Sequence, residues 1–594
     1  MILQELVRFY ERQRNLQDSD IAPPGWIRRP LDYIIVLRDD GQCVDLQPLF
    51  TVENGKRVGR PELLPSIGKQ ALKHTNSGKD ANLLWDNASF VLGVGNRGAM
   101  KLESFIQTIN HWFPGATDVG VRAVGLFLRS LQTDPAKANA LIERFSATAD
   151  FDDRDPVLAF RLASDGPINV HERETARRDY AAQTAALLVD AVRGRCLVTG
   201  ATDVPLALNE TVLKGVWNSQ PAGANLVSFN AAAFISYGKL GRTEEIAPVG
   251  SSASAVYSTS LNFLLASPRN RVQVGDASTV FWADSPSRFD GEFTLADFFG
   301  ENKDDPGRGV RAVQALFEAL KGGQLPVAER DVQFFVLGLA PNAARISVRF
   351  WLRAPLSELA PRIAQHFDDL RIVRCYDSDP VTPSLFRLLR DLALQRKLDN
   401  VPPRLAGEWM RAILEGLPYP ALLLNAAVIR CKAEQDVTYL RAAVLKAWLN
   451  RDHRRQHRHL PATYSHFKET LDMQQTDVAY RLGRLFAVLE RIQQQAMPGI
   501  NATIRDRYYG AASTTPVAVF TTLLRLKNAH LKKLADGPAA YFERLIGEVL
   551  EPVTDFPRQL TLPDQGRFAL GYYHQRQAFF ARKDAADTPT TKEE

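Results

Sequence analysis

Residues 478–495 read VAYRLGRLFAVLERIQQQ, and this stretch sets the character of the last third of the chain. Its apolar residues recur with the 3.6-residue period of a helix that buries one face. Comparable stretches occupy Val437–Leu449, Pro516–Leu534 and Pro538–Leu550. Strand-like runs nearly vanish after about residue 380. The sequence therefore predicts a C-terminal α-helical bundle over residues 381–594.

The chain before this bundle has a mixed pattern. Short β-type runs separated by Gly, Pro and Asn extend from residue 31 to about 95, and residues 101–195 read as mostly helical. A second mixed segment contains the apolar run DVQFFVLGL at 331–339, which reads as a buried strand. We expect an α+β fold with short sheets, divided into regions 1–195, 196–380 and 381–594.

Composition limits the classes of protein to which the chain can belong. A chain of 594 residues exceeds what one hydrophobic core organises, and 45% hydrophobic with 24% charged residues describes a globular protein. No apolar run is long enough to span a bilayer, and the N-terminus lacks a signal-peptide pattern, so we expect a cytoplasmic protein. Its 4 cysteines form no CxxC pair, and no metal or cofactor is indicated.

The positive charge is concentrated in the predicted bundle. Residues 401–594 carry 27 Lys and Arg against 20 Asp and Glu, whereas the first 400 residues carry 46 against 47. A basic domain attached to a neutral body favours a polyanionic partner such as nucleic acid.

Residues 73–79 read KHTNSGK, a basic polar stretch whose amide and ammonium groups suit base edges and phosphates. The following residues, NLLWDNASFVLG at 82–93, read as a half-buried β-type segment that would hold the loop. Taken alone, this pattern fits a turn before a core strand better than a binding loop.

These two stretches resemble the N-terminal signature of one family, the large subunit of the type I-C CRISPR Cascade complex. Further resemblances follow in order along nearly the whole chain: PPG at 23–25, YIIVL at 33–37, KGVW at 214–217, GANLVSFN at 223–230, Tyr509–Leu534 and Phe556–Gln577. One departure is Asn209, where the family often has His.

The resemblance implies a non-catalytic subunit of an RNA-guided DNA-surveillance complex in antiviral defence. Such a subunit senses the short PAM duplex, assists strand opening, stabilises the R-loop and recruits a helicase–nuclease. Its implied partners are crRNA, the target double-stranded DNA with its displaced strand, the handle-binding, backbone and small subunits, and the helicase–nuclease. The family can also make a small subunit by internal translation, and Met473 is a candidate start.

We assign candidate contacts in three sets. The PAM-duplex candidates are Lys73, Asn76, Lys79, Asn82 and Asn87, and a second family-like loop supplies Asn230, Ser236 and Lys239. The DNA-backbone candidates lie in the bundle, where Lys and Arg alternate with Tyr in a pattern typical of phosphate neutralisation with base stacking. They are Arg505, Arg507, Lys527, Lys532 and Lys533.

Other classes of function remain open from the sequence. Gly93–Gly98 matches GxGxxG, so a nucleotide-dependent nucleic-acid enzyme is the alternative, although no strand–helix alternation with a later acid follows. The stretch HRRQHRH at 453–459 fits nucleic-acid contact and a solvated helix end equally well. A scaffold that binds only proteins is a third class.

Overall fold

The computed structural model describes residues 1–16, 19–53, 56–67, 80–145, 155–208, 210–221, 223–229, 232–235, 243–285, 295–300, 311–315, 331–343, 345–402 and 404–580. The chain forms two compact units. The first consists of residues 1–266 with 341–347, and the second of residues 267–340 with 348–594. The boundaries expected at 195 and 380 stay predictions.

The first unit combines short strands with helices. Its helices are α1 (Ile2–Arg14), α2 (Ala88–Val91), α3 (Gly98–Trp112), α4 (Val119–Thr133), α5 (Ala136–Arg144), α6 (Glu174–Ala186), α7 (Thr243–Ile246) and α8 (Ser251–Ala266). Its strands are β1 (Trp26–Leu31), β2 (Tyr33–Leu37), β3 (Cys43–Pro48), β4 (Phe50–Glu53), β5 (Lys56–Pro65), β6 (Trp85–Asn87), β7 (Val157–Leu162), β8 (Arg193–Gly194) and β9 (Val204–Pro205). They form sheets ordered β1–β5–β4, β3–β2–β7–β6 and β8–β9.

Strand β2 lies at the centre of this unit, because both of its faces are buried. Tyr33, Ile35 and Leu37 belong to the hydrophobic core that includes side chains of α3 and α4. Ile34 and Val36 point the other way and pack with side chains of the β1–β5–β4 sheet. Two-sided burial explains why YIIVL is continuously apolar rather than alternating.

One expectation for this unit is confirmed and another is wrong in detail. The described part of 101–195 is mostly helical, with α3 to α6, and it also contains β7, which pairs in parallel with β2. The segment 82–93 contains only the three-residue strand β6 and then continues as the helical turn α2. In both places the apolar residues are buried, but a short apolar run does not by itself specify whether the backbone is a helix or a strand.

The second unit contains most of a sheet with the strand order β10 (Arg271–Val274), β11 (Ala277–Ala283), β12 (Gln333–Asn342) and β13 (Arg345–Pro355), of which residues 341–347 belong to the first unit. Its helices are α9 (Leu295–Phe299), α10 (Leu356–Leu370), α11 (Leu385–Leu392), α12 (Leu405–Glu415), α13 (Ala421–Glu434), α14 (Tyr439–Gln456), α15 (Val478–Ala496), α16 (Ile504–Ala512), α17 (Pro516–Leu531), α18 (Asp536–Leu550) and α19 (Leu562–Ala578). Beyond β13, the described residues contain no strand. The α+β fold and the helical C-terminal part are thereby confirmed.

Helices α15 and α19 cross in backbone contact at two glycines. A Cβ atom added at Gly483 would lie 1.9 Å from the Phe568 carbonyl oxygen, and one added at Gly571 would lie 2.0 Å from the Tyr480 carbonyl oxygen. Both glycines are helical, so the close approach of the backbones and not a positive φ requires them. Tyr480 and Phe568 themselves belong to the hydrophobic core around the crossing.

Within the described residues, no helix is both long and apolar enough to cross a membrane.

We expect Gly483→Ala or Gly571→Ala to destabilise the second unit by about 1–3 kcal/mol or more, because overpacking forces the two helices apart. Gly547→Ala is the matched control, because nothing lies within 4 Å of a Cβ atom at this position of α18. It should stabilise the unit by roughly 0.5–1 kcal/mol through helix propensity. Thermal melts followed by circular dichroism measure all three variants, and equal melting temperatures for Gly483→Ala and Gly547→Ala would contradict the crossing.

Candidate nucleic-acid interface

The chain leading into the first candidate loop is fixed by buried side chains. The Trp85 indole Nε1–H donates to the Pro65 carbonyl oxygen at 2.9 Å. The Tyr180 hydroxyl lies within hydrogen-bond distance of the carbonyl oxygens of Gly25, at 2.6 Å, and Ser66, at 2.8 Å. The pKa of this hydroxyl is raised to about 12 by burial, so it remains a proton donor at neutral pH. The backbone is therefore held as far as residue 66.

The chain leaving the same loop is fixed by Asp86, which is fully buried. Its carboxylate accepts the backbone N–H of Asn82 at 2.8 Å and that of Asn87 at 2.7 Å. The Asn87 side-chain amide donates to the Asp155 carbonyl oxygen at 2.5 Å. The Asp155 carboxylate also accepts the Ser89 hydroxyl at 2.6 Å. Rigid anchors thus bound both ends of the segment.

The candidates at this loop fall into two groups. Lys73, Asn76 and Lys79 lie outside the described residues. Asn82 is buried, and Asn87 is half-buried at the N-terminal end of α2. The side-chain carbonyl oxygen of Asn82 is buried without a hydrogen-bond partner among the described residues. The described contacts of these two residues, from the Asn82 backbone N–H to Asp86 and from the Asn87 amide to the Asp155 carbonyl oxygen, hold the chain that leaves the loop.

The GxGxxG stretch at Gly93–Gly98 has a structural explanation. It follows helix α2 rather than a strand, and Gly93 and Gly95 adopt φ values of +70° and +73°. A Cβ atom at Gly98 would lie 2.0 Å from the Gly93 carbonyl oxygen. Strand β6 before it runs antiparallel to β7, so the strand–turn–helix setting of a dinucleotide site is not formed here.

A buried carboxylate organises the second family-like loop. Glu210 accepts the backbone N–H of Leu226 and, at 2.9 Å, that of Val227, and its other oxygen accepts the Tyr257 hydroxyl. Burial raises the pKa of Glu210, although these hydrogen bonds favour its charged form. Sequence reasoning missed this residue, because a lone Glu in an irregular segment carries no motif.

An exposed aromatic ring and a cation stand beside this loop. The ring of Phe234 is exposed. The Arg345 guanidinium lies 5.0 Å from the centre of that ring and donates to the Ser228 carbonyl oxygen at 3.1 Å. The described part of the loop therefore presents the Phe234 ring beside the Arg345 guanidinium, which a backbone carbonyl oxygen holds in place. Outside the described residues lie the predicted contacts Asn230, Ser236 and Lys239 and the departure Asn209.

Two of the predicted backbone contacts in the bundle are already engaged by carboxylates. Arg505 lies 3.6 Å from Asp436 and 3.8 Å from the buried Glu490. Lys527 forms an ion pair with Glu543 at 2.6 Å. Their positive charges are largely balanced by these carboxylates.

The other predicted backbone contacts are available to solvent. Arg507, Lys532 and Lys533 are exposed and form no ion pair with the described residues. Lys532 and Lys533 directly follow α17, where the unpaired carbonyl groups of the helix end also favour cations. The structure thus separates the five basic candidates into two paired cations and three that face solvent.

The HRRQHRH stretch is built into a structural network at the end of α14. Buried Asp369 accepts hydrogen bonds from Arg451 and Arg454, each at 2.8 Å. The His453 ring stacks with the rings of His457 and His466 at centroid distances of 4.2 Å and 4.0 Å. Burial and the neighbouring imidazoles lower the pKa of His453 to about 4, so the stacked ring is neutral at pH 7. These contacts favour a structural role for most of the patch.

Comparison with known proteins gives one family. A family model described as CRISPR-associated protein (Cas_Csd1) matches residues 6–580, nearly the whole chain. No curated protein matches the chain.

We expect Glu210→Ala to release the backbone of residues 223–229, because it leaves buried donors without their acceptor. Amide hydrogen exchange at Leu226 and Val227, measured by mass spectrometry, should accelerate roughly 5- to 150-fold. Glu210→Gln is the matched control, since its amide oxygen can keep accepting from the backbone while its NH₂ group faces Tyr257. Unchanged exchange in Glu210→Ala would show that other contacts hold the loop.

Proposed function

Because the chain belongs to the Csd1 family of CRISPR-associated proteins, we propose that it is the non-catalytic large subunit of a type I-C RNA-guided DNA-surveillance complex. In this role it recognises the PAM duplex, assists strand opening, stabilises the R-loop and recruits the helicase–nuclease. Its partners are crRNA, target DNA, the other subunits of the complex and the helicase–nuclease.

The physics of RNA-guided recognition supports this function. In RNA-guided recognition the guide reads most of the sequence by base pairing, and the protein reads only the PAM and the nucleic-acid backbone. Such a protein needs a reading element on a rigid support and exposed cations. It does not need a catalytic constellation, and the glycines of Gly93–Gly98 are accounted for by turn geometry.

The observation that carries the proposal is the pair of anchors around residues 68–79. Trp85 and Tyr180 fix the incoming backbone, and Asp86 fixes the outgoing backbone. The candidates Lys73, Asn76 and Lys79 lie between these anchors in sequence. Contacts to base edges discriminate only when their supporting backbone is held, so anchored ends suit a reading loop.

The reading loop is tested by Lys73→Ala/Asn76→Ala/Lys79→Ala in the reconstituted guide-loaded complex. On duplex targets with a correct or scrambled PAM, we expect the ratio of the two affinities to fall by about 5- to 150-fold, equivalent to about 1–3 kcal/mol of discrimination. Affinity for the scrambled target should change less.

A matched control for this loop is Lys137→Ala/Arg129→Ala, which removes two exposed cations from α5 and α4 of the same unit. It should leave PAM discrimination unchanged. If the triple variant also discriminates like the wild type, the loop is structural and the reading role moves to residues 230–239. If the wild-type complex itself shows no PAM dependence, the proposed function is wrong.

For the bundle, we expect Lys532→Ala/Lys533→Ala to weaken duplex binding regardless of sequence. Each lost phosphate contact should reduce the slope of log K against log salt by about 0.9. Lys527→Ala/Glu543→Ala keeps the net charge and removes an internal ion pair, so its slope should match that of the wild type. Equal slopes for both double variants would show that the exposed lysines do not meet phosphates.

A further inference from the structure

An open cleft of about 680 Å³ lies among α11, α14 and the C-terminal end of α19, all within the second unit. Its volume falls in the range of about 300–1,000 Å³ typical of ligand sites. Three aspartates line it, so its charge depends on how those carboxylates are used. Its other lining residues include Arg387, Arg390, Arg396, Arg576, Tyr376 and Phe580.

The three aspartates are engaged by the protein. Asp379 accepts the backbone N–H groups of residues 375 and 376 at 3.1 Å and 3.0 Å. Asp391 accepts the Thr438 hydroxyl at 2.6 Å and pairs with buried Arg441 at 3.3 Å. Asp436, the third, lies 3.7 Å from Arg576 and 3.6 Å from Arg505. The carboxylates of the cleft are therefore largely used within the fold.

Two of the lining cations reach solvent. Arg390 is exposed and lies against its own helix neighbour Phe386, 5.8 Å from the ring centre. The Arg396 side chain is 65% exposed although it forms an ion pair with Asp391 at 3.7 Å. Asp391 also pairs with Arg441, so it does not balance both guanidinium groups. Because Arg390 forms no ion pair with the described residues, the cleft keeps accessible positive charge.

Two large aromatic rings are exposed at the same cleft. Tyr376 is 72% exposed and Phe580 is 62% exposed. The Arg491 guanidinium lies 5.2 Å from the centre of the Phe580 ring. Burial normally removes rings of this size from water, so two of them beside exposed cations indicate a binding surface.

The backbone that carries Tyr376 is fixed although its ring is exposed. The Tyr573 hydroxyl donates to the Val373 carbonyl oxygen at 2.6 Å, and the Gln577 amide donates to the Cys375 sulfur at 3.0 Å. The guanidinium of residue 374 donates to the carbonyl oxygens of residues 377 and 379 at 3.1 Å and 3.0 Å. The ring is thus presented on a preorganised turn, which lowers the entropy lost when a ligand stacks on it.

We propose that this cleft binds single-stranded nucleic acid, with a base stacked on Tyr376 and the adjoining phosphates on Arg390 and Arg396. Exposed rings alternating with cations bind single strands irrespective of sequence, because every base has a π face. An acidic peptide would use the arginines but would leave the Tyr376 ring without a stacking partner. The inference deepens the proposed function, on which it rests, by giving a displaced strand a place on the second unit.

The test measures binding of a fluorescein-labelled dT₂₀ oligonucleotide to the full chain by anisotropy at several salt concentrations. Tyr376→Ala should weaken binding about 5- to 150-fold, the range for loss of one base stack, and Tyr376→Phe should retain it. Arg390→Ala/Arg396→Ala should lower the salt slope by about 0.7 per contact. The matched controls are Tyr541→Ala, another exposed tyrosine of the second unit, and Lys137→Ala/Arg129→Ala, which removes equal charge elsewhere.

Each outcome decides the inference. Selective loss in the Tyr376 and arginine variants supports it, provided that free AMP and ATP do not compete with the oligonucleotide at equal nucleotide concentration. Competition by free nucleotides, or equal losses in the controls, overturns it, as does binding of an oligoglutamate peptide in place of the oligonucleotide. PAM discrimination on intact duplexes is measured separately, so failure of the cleft is distinguishable from failure of the proposed function.

Discussion

The close crossing of α15 and α19 is the constraint on which the second unit depends. Because Gly483 and Gly571 let the two backbones touch, the distance between α15 and α19 is fixed. This packing places the Tyr573 hydroxyl within hydrogen-bond distance of the Val373 carbonyl oxygen. The turn carrying Tyr376 is consequently positioned by the core of the bundle. A surface that binds a flexible polymer gains from such support, because the support is already ordered before binding.

Elsewhere in the chain, buried carboxylates fix the backbone by accepting hydrogen bonds from it. Asp86 accepts the backbone N–H groups of Asn82 and of Asn87 at the end of β6, and Glu210 accepts two from an irregular segment. Asp369 collects two arginines in the same manner. A buried charge is tolerated only when it is paired or hydrogen-bonded, so each of these residues also dictates the geometry of its neighbours.

The regular elements of the bundle are predictable from sequence because their signal is local. The helices predicted from Val478–Gln495 and Pro538–Leu550 are found at Val478–Ala496 and Asp536–Leu550, since the apolar period and the flanking breakers coincide. Strand β7 is not predictable in this way, because VLAFRL could be a buried helix as easily as a strand. Its partner β2 lies over a hundred residues away, and only that pairing decides the conformation.

The candidate contacts are also only partly predictable from sequence, because residue spacing alone does not reveal which cations face solvent. Arg505 faces Glu490 and Asp436, whereas Arg507, two positions along α16, is exposed. Residues two apart on a helix lie on different faces, so one turn supplies both a structural cation and a surface cation. In the cleft, likewise, Asp391 is occupied internally while Arg390 stays exposed. Affinity for a polyanion therefore depends on which carboxylates the fold has already engaged, and net charge alone does not reveal that.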